Sequence, residues 1–139
     1  VRNFGGIARS AECAGAHGLI TPLKNSAPVN GDAIRSSAGA LNNIPVCRVG
    51  SIRNTLKTLQ VEGFQIVAAT EKSKKLLYDA DFTKPTVIVM GAEDKGISKE
   101  VLKLCDEQLA IPLIGHTESL NVAAAAAIML FEVVRQRIG

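Results

Sequence analysis

Five short apolar runs recur along the chain, and they constrain its fold more than any other feature. They occupy residues 18–22, 44–49, 65–69, 86–90 and 108–111. The runs are not alternately apolar and polar, which is typical of strands whose two faces are both covered by helices. Because segments of helical character separate the runs, we predict an α/β fold, a three-layer domain around a parallel sheet.

Helical segments are predicted at 5–14, within 33–40, and at 51–62, 72–77, 99–105 and 120–137. Asn3 and Ser98 precede two of these segments and are good N-caps. Gly63 follows another and can end it in a left-handed conformation. The last segment contains five consecutive alanines, 123–127, which either pack against the sheet of their own chain or let the backbone of another subunit approach.

Composition limits the function without deciding it. The 139 residues suit one domain, and the net charge of +3 is compatible with RNA binding. With 4 Phe, 1 Tyr and no Trp, the stacked aromatic platforms of single-strand RNA readers are not expected. Cys13, Cys47 and Cys105 form neither a CxxC pair nor a His/Cys cluster, so we predict no metal site and no disulfide framework. Reduced thiols, and apolar runs too short to cross a bilayer, favour a cytoplasmic protein with no membrane partner.

The first segment that carries chemistry is 3–11, NFGGIARSA. Asn3 is expected to cap the helix, and the two glycines permit close approach of a ligand or another backbone. Arg9 lies nearly two turns into that helix, where its planar guanidinium suits a phosphate or a carboxylate. Spacing alone is equally compatible with a solvated helix arginine.

The second segment runs from an apolar strand into an acidic glycine turn, VIVMGAEDKGIS at 87–98. Ligands of open α/β sheets bind where such turns lie, at the carboxyl ends of the strands. The turn lacks the glycine spacings of phosphate-binding loops, and Glu93 and Asp94 would repel phosphate. An acidic turn favours a cationic or hydroxyl-bearing ligand, although such turns are common.

The third segment, IPLIGHTESLNVA at 111–123, leads from the last strand into the long helix. Ser119 and Asn121 stand at the start of that helix, where hydroxyl and amide groups can cap it or bind a ligand near its positive end. His116 lies in the same loop and is a weaker candidate for ligand contact.

Taken together, the three segments resemble the SpoU (TrmH-like) RNA 2′-O-ribose methyltransferases of the SPOUT superfamily. Residues 3–11 are similar to the opening motif of that family, VMGAEDKGI at 89–97 to its second, and IP at 111–112 with ESLNVA at 118–123 to its third. The motifs occur in the same order and at similar separations, so the resemblance covers essentially the whole chain.

The resemblance implies a SPOUT fold with a C-terminal deep trefoil knot, S-adenosylmethionine as the cofactor without a metal, and a homodimer with sites at the subunit interface. The implied cofactor-binding residues are Gly91, Ile111 and Leu120, acting largely through main-chain contacts, with Met90 and Gly96 of the second motif. The implied catalytic and RNA-facing residues are Asn3, Arg9, Glu93, Ser119 and Asn121.

The implied reaction is attack of a ribose 2′-oxygen on the sulfonium methyl group. In the family the motif-one arginine, here Arg9, is assigned to remove the proton of the hydroxyl. A guanidinium rarely gives up its own proton, so binding the neighbouring phosphate and positioning the ribose is physically easier. We therefore leave both roles open for Arg9.

The stretches 24–30 and 131–137 look most like the branch that modifies a guanosine of large-subunit ribosomal RNA. The same reaction on transfer RNA is the alternative, and a non-catalytic RNA-binding or nucleotide-binding α/β module is a further one. The family often carries an N-terminal RNA-binding domain. We accordingly interpret residues 1–139 as a SpoU-type methyltransferase catalytic domain, for which a fragment without an N-terminal strand and a substrate-binding domain is one interpretation.

Overall fold

The computed structural model describes residues 2–23, 35, 37–92 and 95–139 of the chain. The chain divides into two compact units, Val1–Ile52 and Arg53–Gly139. Parallel strands pair in both units, which confirms the predicted α/β class. None of the helices within these described ranges is long and apolar enough to span a bilayer.

The first unit contains helix α1 (Arg2–Cys13), strands β1 (Leu19–Pro22) and β2 (Val46–Val49), and a 3₁₀ turn (Ala40–Asn42). The two strands pair in parallel, with Leu19 opposite Val46. The inner face of α1 buries Ala8 against Leu41, and Phe4, Leu19 and Val46 pack around them. Small and branched side chains therefore join the helix to the strands in this unit.

The second unit holds α2 (Ile52–Val61, entering from the last residue of the first unit), β3 (Gln65–Ala69), a 3₁₀ turn (Leu77–Asp79), β4 (Thr86–Val89), α3 (Lys99–Leu104), β5 (Glu107–Leu109) and α4 (Val122–Ile138). Its sheet has the order β4-β3-β5, with every pair parallel. Since β3 is central, Ile66, Val67 and Ala68 are all fully buried. This burial on both faces explains why the run does not alternate with polar residues.

The core of the second unit joins the sheet to α4. Its buried members are Val67, Leu77, Ala80, Phe82, Leu109 and Met129. Full burial of a large apolar side chain contributes about 1.5–3 kcal/mol, so burial of this cluster stabilises the unit. The helix that carries the alanine run therefore packs against its own chain through Met129, and Ala126 on the same helix is also buried.

A polar network fixes the C-terminal half of α4. Glu132 is only 6% exposed, and its carboxylate accepts hydrogen bonds from Arg135 (2.7 and 2.8 Å) and from the Gln136 amide (2.9 Å). The hydrogen bonds from Arg135 hold the pKa of Glu132 below its ordinary value, against the opposing effect of burial. The Gln136 amide also donates to the Ala80 carbonyl (2.9 Å) and accepts from the Phe82 N–H (2.7 Å). The network ties the helix to the turn before β4.

Several predicted boundaries are confirmed. Gly63 ends α2 with φ of +103°, while the Phe64 N–H donates to the Leu59 carbonyl at 3.0 Å. The Ser98 hydroxyl accepts from the Val101 N–H at 3.3 Å and so caps α3. Of the segment predicted to contain a helix, 33–40, residues 33, 34 and 36 lie outside the described residues; Arg35 is helical, and residues 37–39 form a turn that leads into the 3₁₀ turn at Ala40–Asn42.

Two predictions were wrong. Asn3 is not an N-cap, because α1 already begins at Arg2 and a cap lies outside its helix. The segment 72–77 is not α-helical, and only its last residue, Leu77, belongs to a 3₁₀ turn. There the Lys75 N–H donates to the Ser73 hydroxyl (3.1 Å), and Leu77 donates to the Ala110 carbonyl (3.0 Å). Such local side-chain bonds, together with pairing to a neighbouring segment, outweigh a modest helical tendency.

Candidate active site

A cavity of about 570 Å³ opens at the carboxyl ends of the three strands in the second unit. Ala69 and Leu109 are the last residues of β3 and β5, and Met90 follows β4 directly. This is the edge at which parallel α/β sheets bind ligands. The cavity is lined by Ala69, Thr70, Glu71, Lys72, Met90, Gly91, Ala92, Lys95, Gly96, Ile97, Leu102, Leu109, Ile111, Leu113, Ser119, Leu120, Asn121, Val122 and Ala125.

The turn after β4 closes tightly on itself at Gly91. A Cβ on Gly91 would lie 2.6 Å from the Gly96 carbonyl carbon and 2.8 Å from the Ile97 nitrogen, distances that a real Cβ does not tolerate. The Gly96 N–H donates to the Ala92 carbonyl at 2.8 Å, and Gly96 has φ of +65°. The shape of this cavity wall therefore depends on two glycines, one for space and one for backbone conformation.

The segment between β5 and α4 forms another wall. Asn121 ends the segment as the N-cap of α4, where its side-chain oxygen accepts from the N–H groups of Ala123 (2.8 Å) and Ala124 (3.4 Å). Ser119 and Leu120 precede it and also line the cavity. Capping thus falls to Asn121, which leaves the exposed Ser119 hydroxyl beside the cavity at the helix N-terminus.

Thr70, Glu71 and Lys72 line the cavity as well, and sequence reasoning missed them. The Thr70 N–H donates to the Leu109 carbonyl at 2.9 Å, so the segment after β3 is held at the end of β5. Farther along, an ion pair between Lys75 and Glu107 holds the same segment. The position of Thr70 directly after an apolar strand was the signal that could have found these residues.

The structure brings together most of the site residues predicted from the sequence. All of the proposed cofactor residues line the one cavity: Met90, Gly91, Gly96, Ile111 and Leu120. Ser119 and Asn121 join them, although they come from a different motif than Gly91. Asn3 and Arg9 lie on α1 in the first unit, with Arg9 exposed. Glu93 lies outside the described residues, and His116 does not line the cavity.

The charged residues that line the cavity are Glu71, Lys72 and Lys95. Within the described ranges, no group of three or more His, Cys, Asp or Glu side chains is placed to hold a metal ion. Burial, and secondarily the charge of Asp106, raises the pKa of the Cys105 thiol to about 11. This thiol is therefore protonated at neutral pH and is a poor nucleophile.

The amino-acid sequence matches the model of a known protein family along most of its length. The profile of the SpoU rRNA methylase family matches residues 1–131. The chain belongs to the SpoU rRNA methylase family. Among family members, a tRNA/rRNA methyltransferase of Mycolicibacterium smegmatis is 43% identical over 136 residues, which are 98% of this chain and 43% of that protein. The 23S rRNA (guanosine-2′-O-)-methyltransferase RlmB of Yersinia pestis is 40% identical over 135 residues, 97% of this chain and 55% of that protein.

Solved SpoU structures have the same fold. The SpoU methyltransferase AviRb of Streptomyces viridochromogenes, in complex with the cofactor AdoMet, matches with a TM-score of 0.91 and 37% identity, covering 99% of this chain and 56% of that one. The TrmH/SpoU tRNA modifying enzyme of A. aeolicus matches with a TM-score of 0.89 and 31% identity, covering 99% of this chain and 70% of that one. The chain spans about half the length of the curated relatives it matches.

Proposed function

We propose that this chain is the catalytic part of an S-adenosylmethionine-dependent methyltransferase that modifies a ribose 2′-hydroxyl in structured RNA. One observation carries the proposal. The cavity at the strand ends gathers Gly91, Ile111 and Leu120, which are far apart in the sequence and belong to two motifs of the SpoU family. A related SpoU methyltransferase binds AdoMet, which supports the choice of cofactor.

The cavity fits this cofactor by size and by chemistry. A volume of about 570 Å³ lies within the usual range for small-molecule sites. Met90, Ile97 and Ile111 are partly exposed and supply apolar surface of the kind that an adenine ring packs against. Glu71 and Lys72 supply charges of both signs, which suit the ammonium and carboxylate of an amino-acid moiety. The glycine turn lets backbone groups come close to the ligand, as main-chain recognition requires.

S-adenosylmethionine would supply a methyl group on a sulfonium sulfur: the bond from the ribose 2′-oxygen to the methyl carbon would form as the carbon–sulfur bond breaks, S-adenosylhomocysteine would leave, and the hydroxyl proton would pass to solvent water. The part of the chain in this step is to hold the hydroxyl in line and to stabilise its loss of a proton. We assign Arg9 to bind the phosphate next to the target ribose, since its guanidinium is a fixed bidentate donor. Asn3, Glu93, Ser119 and Asn121 complete the proposed RNA-facing set.

For the substrate we favour a guanosine of large-subunit ribosomal RNA. The likeness to a 23S rRNA (guanosine-2′-O-)-methyltransferase, at 40% identity, supports this choice. Transfer RNA is the alternative, supported by the likeness to a tRNA modifying enzyme at 31% identity. Methyl transfer from radiolabelled S-adenosylmethionine to each purified RNA distinguishes them. Cofactor binding without transfer to either RNA would instead favour the non-catalytic module.

We also propose that the protein acts as a homodimer through α4. One face of this helix leaves apolar side chains exposed at Ala124, Ile128, Phe131 and Ile138, which recur at helical spacing. A second copy would bury this stripe, consistent with the dimer that the family resemblance implies. Phe131→Glu should shift the sedimentation coefficient to that of a monomer, whereas an unchanged coefficient would remove α4 from the interface.

The knot and the cellular location are proposals as well. A TM-score of 0.91 to a SpoU methyltransferase supports the same chain path, and so the C-terminal trefoil knot of the SPOUT fold. Tracing the chain in a crystal structure of this protein tests it. We propose a cytoplasmic location because the ribosomal and transfer RNA substrates are there, and fractionation of cells that express the tagged protein tests that.

A further inference from the structure

A basic groove lies between α2 and α3 of the second unit, outside the cavity described above. It has a volume of about 450 Å³ and is lined by Arg53, Lys57, Glu100, Lys103 and Leu104. Four of these side chains are charged and all four are exposed. With three cations and one carboxylate, the groove carries a local excess of positive charge.

The two helices that form the groove are fixed to each other. The Gln60 amide, on α2, donates to the Leu104 carbonyl at the end of α3 (2.8 Å) and to a carboxylate oxygen of Asp106 (3.4 Å). The same Asp106 oxygen accepts from the Ile66 N–H at 2.7 Å. Asp106 is therefore engaged by backbone and amide donors, and it does not line the groove. Hydrogen bonds within the protein therefore hold the two helices that carry the groove cations, and no ligand is needed to fix their positions.

The groove and the cavity lie on two sides of α3. Leu102 lines the cavity, whereas the next residue, Lys103, lines the groove. A helix with its side chains is about 10–12 Å across, so the two sites are close neighbours. In the part of the chain that the structure describes, Arg53, Lys57 and Lys103 have no ion pair with a carboxylate. Their charges are therefore available to an anion from solution.

We propose that this groove binds the phosphate backbone of the RNA substrate beside the target nucleotide. The inference rests on the proposed function, since the SpoU rRNA methylase family is what makes RNA the expected polyanion. A chain with a net charge of only +3 needs its cations concentrated where the RNA passes. Arg53 and Lys57 are one turn apart on α2, and Lys103 faces them from α3. The groove therefore gathers three positive charges in the way that phosphate binding requires.

The test measures the affinity for a fluorescein-labelled RNA hairpin over a series of salt concentrations. Lys103→Gln should lower the magnitude of the slope of log K against log salt by about one, and Lys57→Gln with Lys103→Gln by about two. Lys84→Gln is the matched control, because Lys84 is an exposed lysine that precedes β4, at the end of the sheet opposite the cavity. It should leave the slope unchanged. Glu100→Gln should instead strengthen binding about twofold to fivefold, an effect in the opposite direction that simple destabilisation does not produce.

The proposal would be overturned if both groove variants kept the wild-type slope of log K against log salt, or if Lys84→Gln lowered that slope as much as they do. Binding of RNA by the wild-type chain that did not depend on salt would overturn it as well. Calorimetry with S-adenosylhomocysteine separates this from the proposed function. The groove variants should bind that ligand as the wild type does. A wild-type chain that fails to bind it contradicts the methyltransferase assignment itself, whatever the groove does.

Discussion

The two units of this chain hold their functional residues in different ways. In the second unit the cavity depends on backbone shape, because Gly91 lies so close to the Gly96 backbone that a Cβ would not fit. In the first unit Arg9 is an exposed side chain on α1, a helix that buries Ala8 and Ala11 on its other face. From this difference we propose that main-chain geometry recognises the cofactor, and that the chemical step depends on an exposed side chain whose removal leaves the fold intact.

The largest effect should follow from Arg9→Ala. Loss of the positioning group should slow methyl transfer about 100-fold or more, because a misplaced ribose costs about that much in rate. Affinity for S-adenosylhomocysteine should stay near the wild-type value, because Arg9 does not line the cavity. Single-turnover methyl transfer and calorimetry measure the two quantities. Equal loss of both would refute the division of roles.

Gly91→Ala should have the opposite effect to Arg9→Ala, because it should weaken cofactor binding directly. The new methyl group would meet the Gly96 backbone at 2.6 Å, so the turn must shift, and we expect affinity for S-adenosylhomocysteine to fall at least about tenfold. Gly115→Ala is the matched control, since its Cβ would meet nothing within 4 Å. If both substitutions left the affinity unchanged, backbone geometry would not be what recognises the cofactor.

Helix α4 contributes to both functions of the second unit: its N-terminal end lines the cavity, and its middle packs in the core. Glu132→Gln removes the carboxylate that Arg135 holds and should cost about 1–3 kcal/mol of unfolding free energy at neutral pH. Because the pKa of Glu132 is lowered in the folded state, its stabilisation is present above its ordinary value of 4.5 and is lost as pH falls through the folded value.

Denaturant titrations of the wild type and Glu132→Gln across the acid range check this sign. The difference in stability between the two proteins should shrink as the pH falls below 4.5. A difference that grows in acid would mean that the carboxylate is not stabilised as its hydrogen bonds indicate. Affinity for S-adenosylhomocysteine at neutral pH should be unchanged as long as the protein remains folded.

Asn121→Ala should change the stability less than Glu132→Gln does. It removes the hydrogen bond accepted from the Ala123 N–H (2.8 Å) and should cost about 1 kcal/mol of stability, whereas Asn121→Asp keeps an acceptor and should cost less. Thermal unfolding of the two variants gives the difference. If Asn121→Ala and Asn121→Asp were equally destabilising, capping would not be the structural role of this residue.

Sequence reasoning found the elements whose causes are local. The apolar runs predicted the parallel strands because burial on both faces leaves a pattern in the residues themselves. The three motifs grouped Gly91, Ile111 and Leu120, and these residues do line the same cavity, although their binding of the cofactor stays a prediction. The same reasoning failed at 72–77, where the conformation depends on pairing of Leu76 with Ala110, far along the chain. No local pattern records such a partner.

The cavity residues after β3 were missed for a related reason. Thr70 and Glu71 carry no motif, and their place follows from the β4-β3-β5 strand order, which puts the end of β3 between the ends of its neighbours. The groove beside α3 likewise requires the packing of α2, fixed by a hydrogen bond between Gln60 and Leu104 that are 44 residues apart. Sites assembled by tertiary contacts become visible only when the fold is known.

A calorimetric titration of the wild-type chain with S-adenosylhomocysteine decides whether the cavity at the strand ends is a cofactor site. We expect saturable binding that is weakened by Gly91→Ala and unaffected by Arg9→Ala. Absence of binding at high micromolar ligand in a folded wild-type protein would contradict this expectation, because the cavity at the strand ends would then not be a cofactor site.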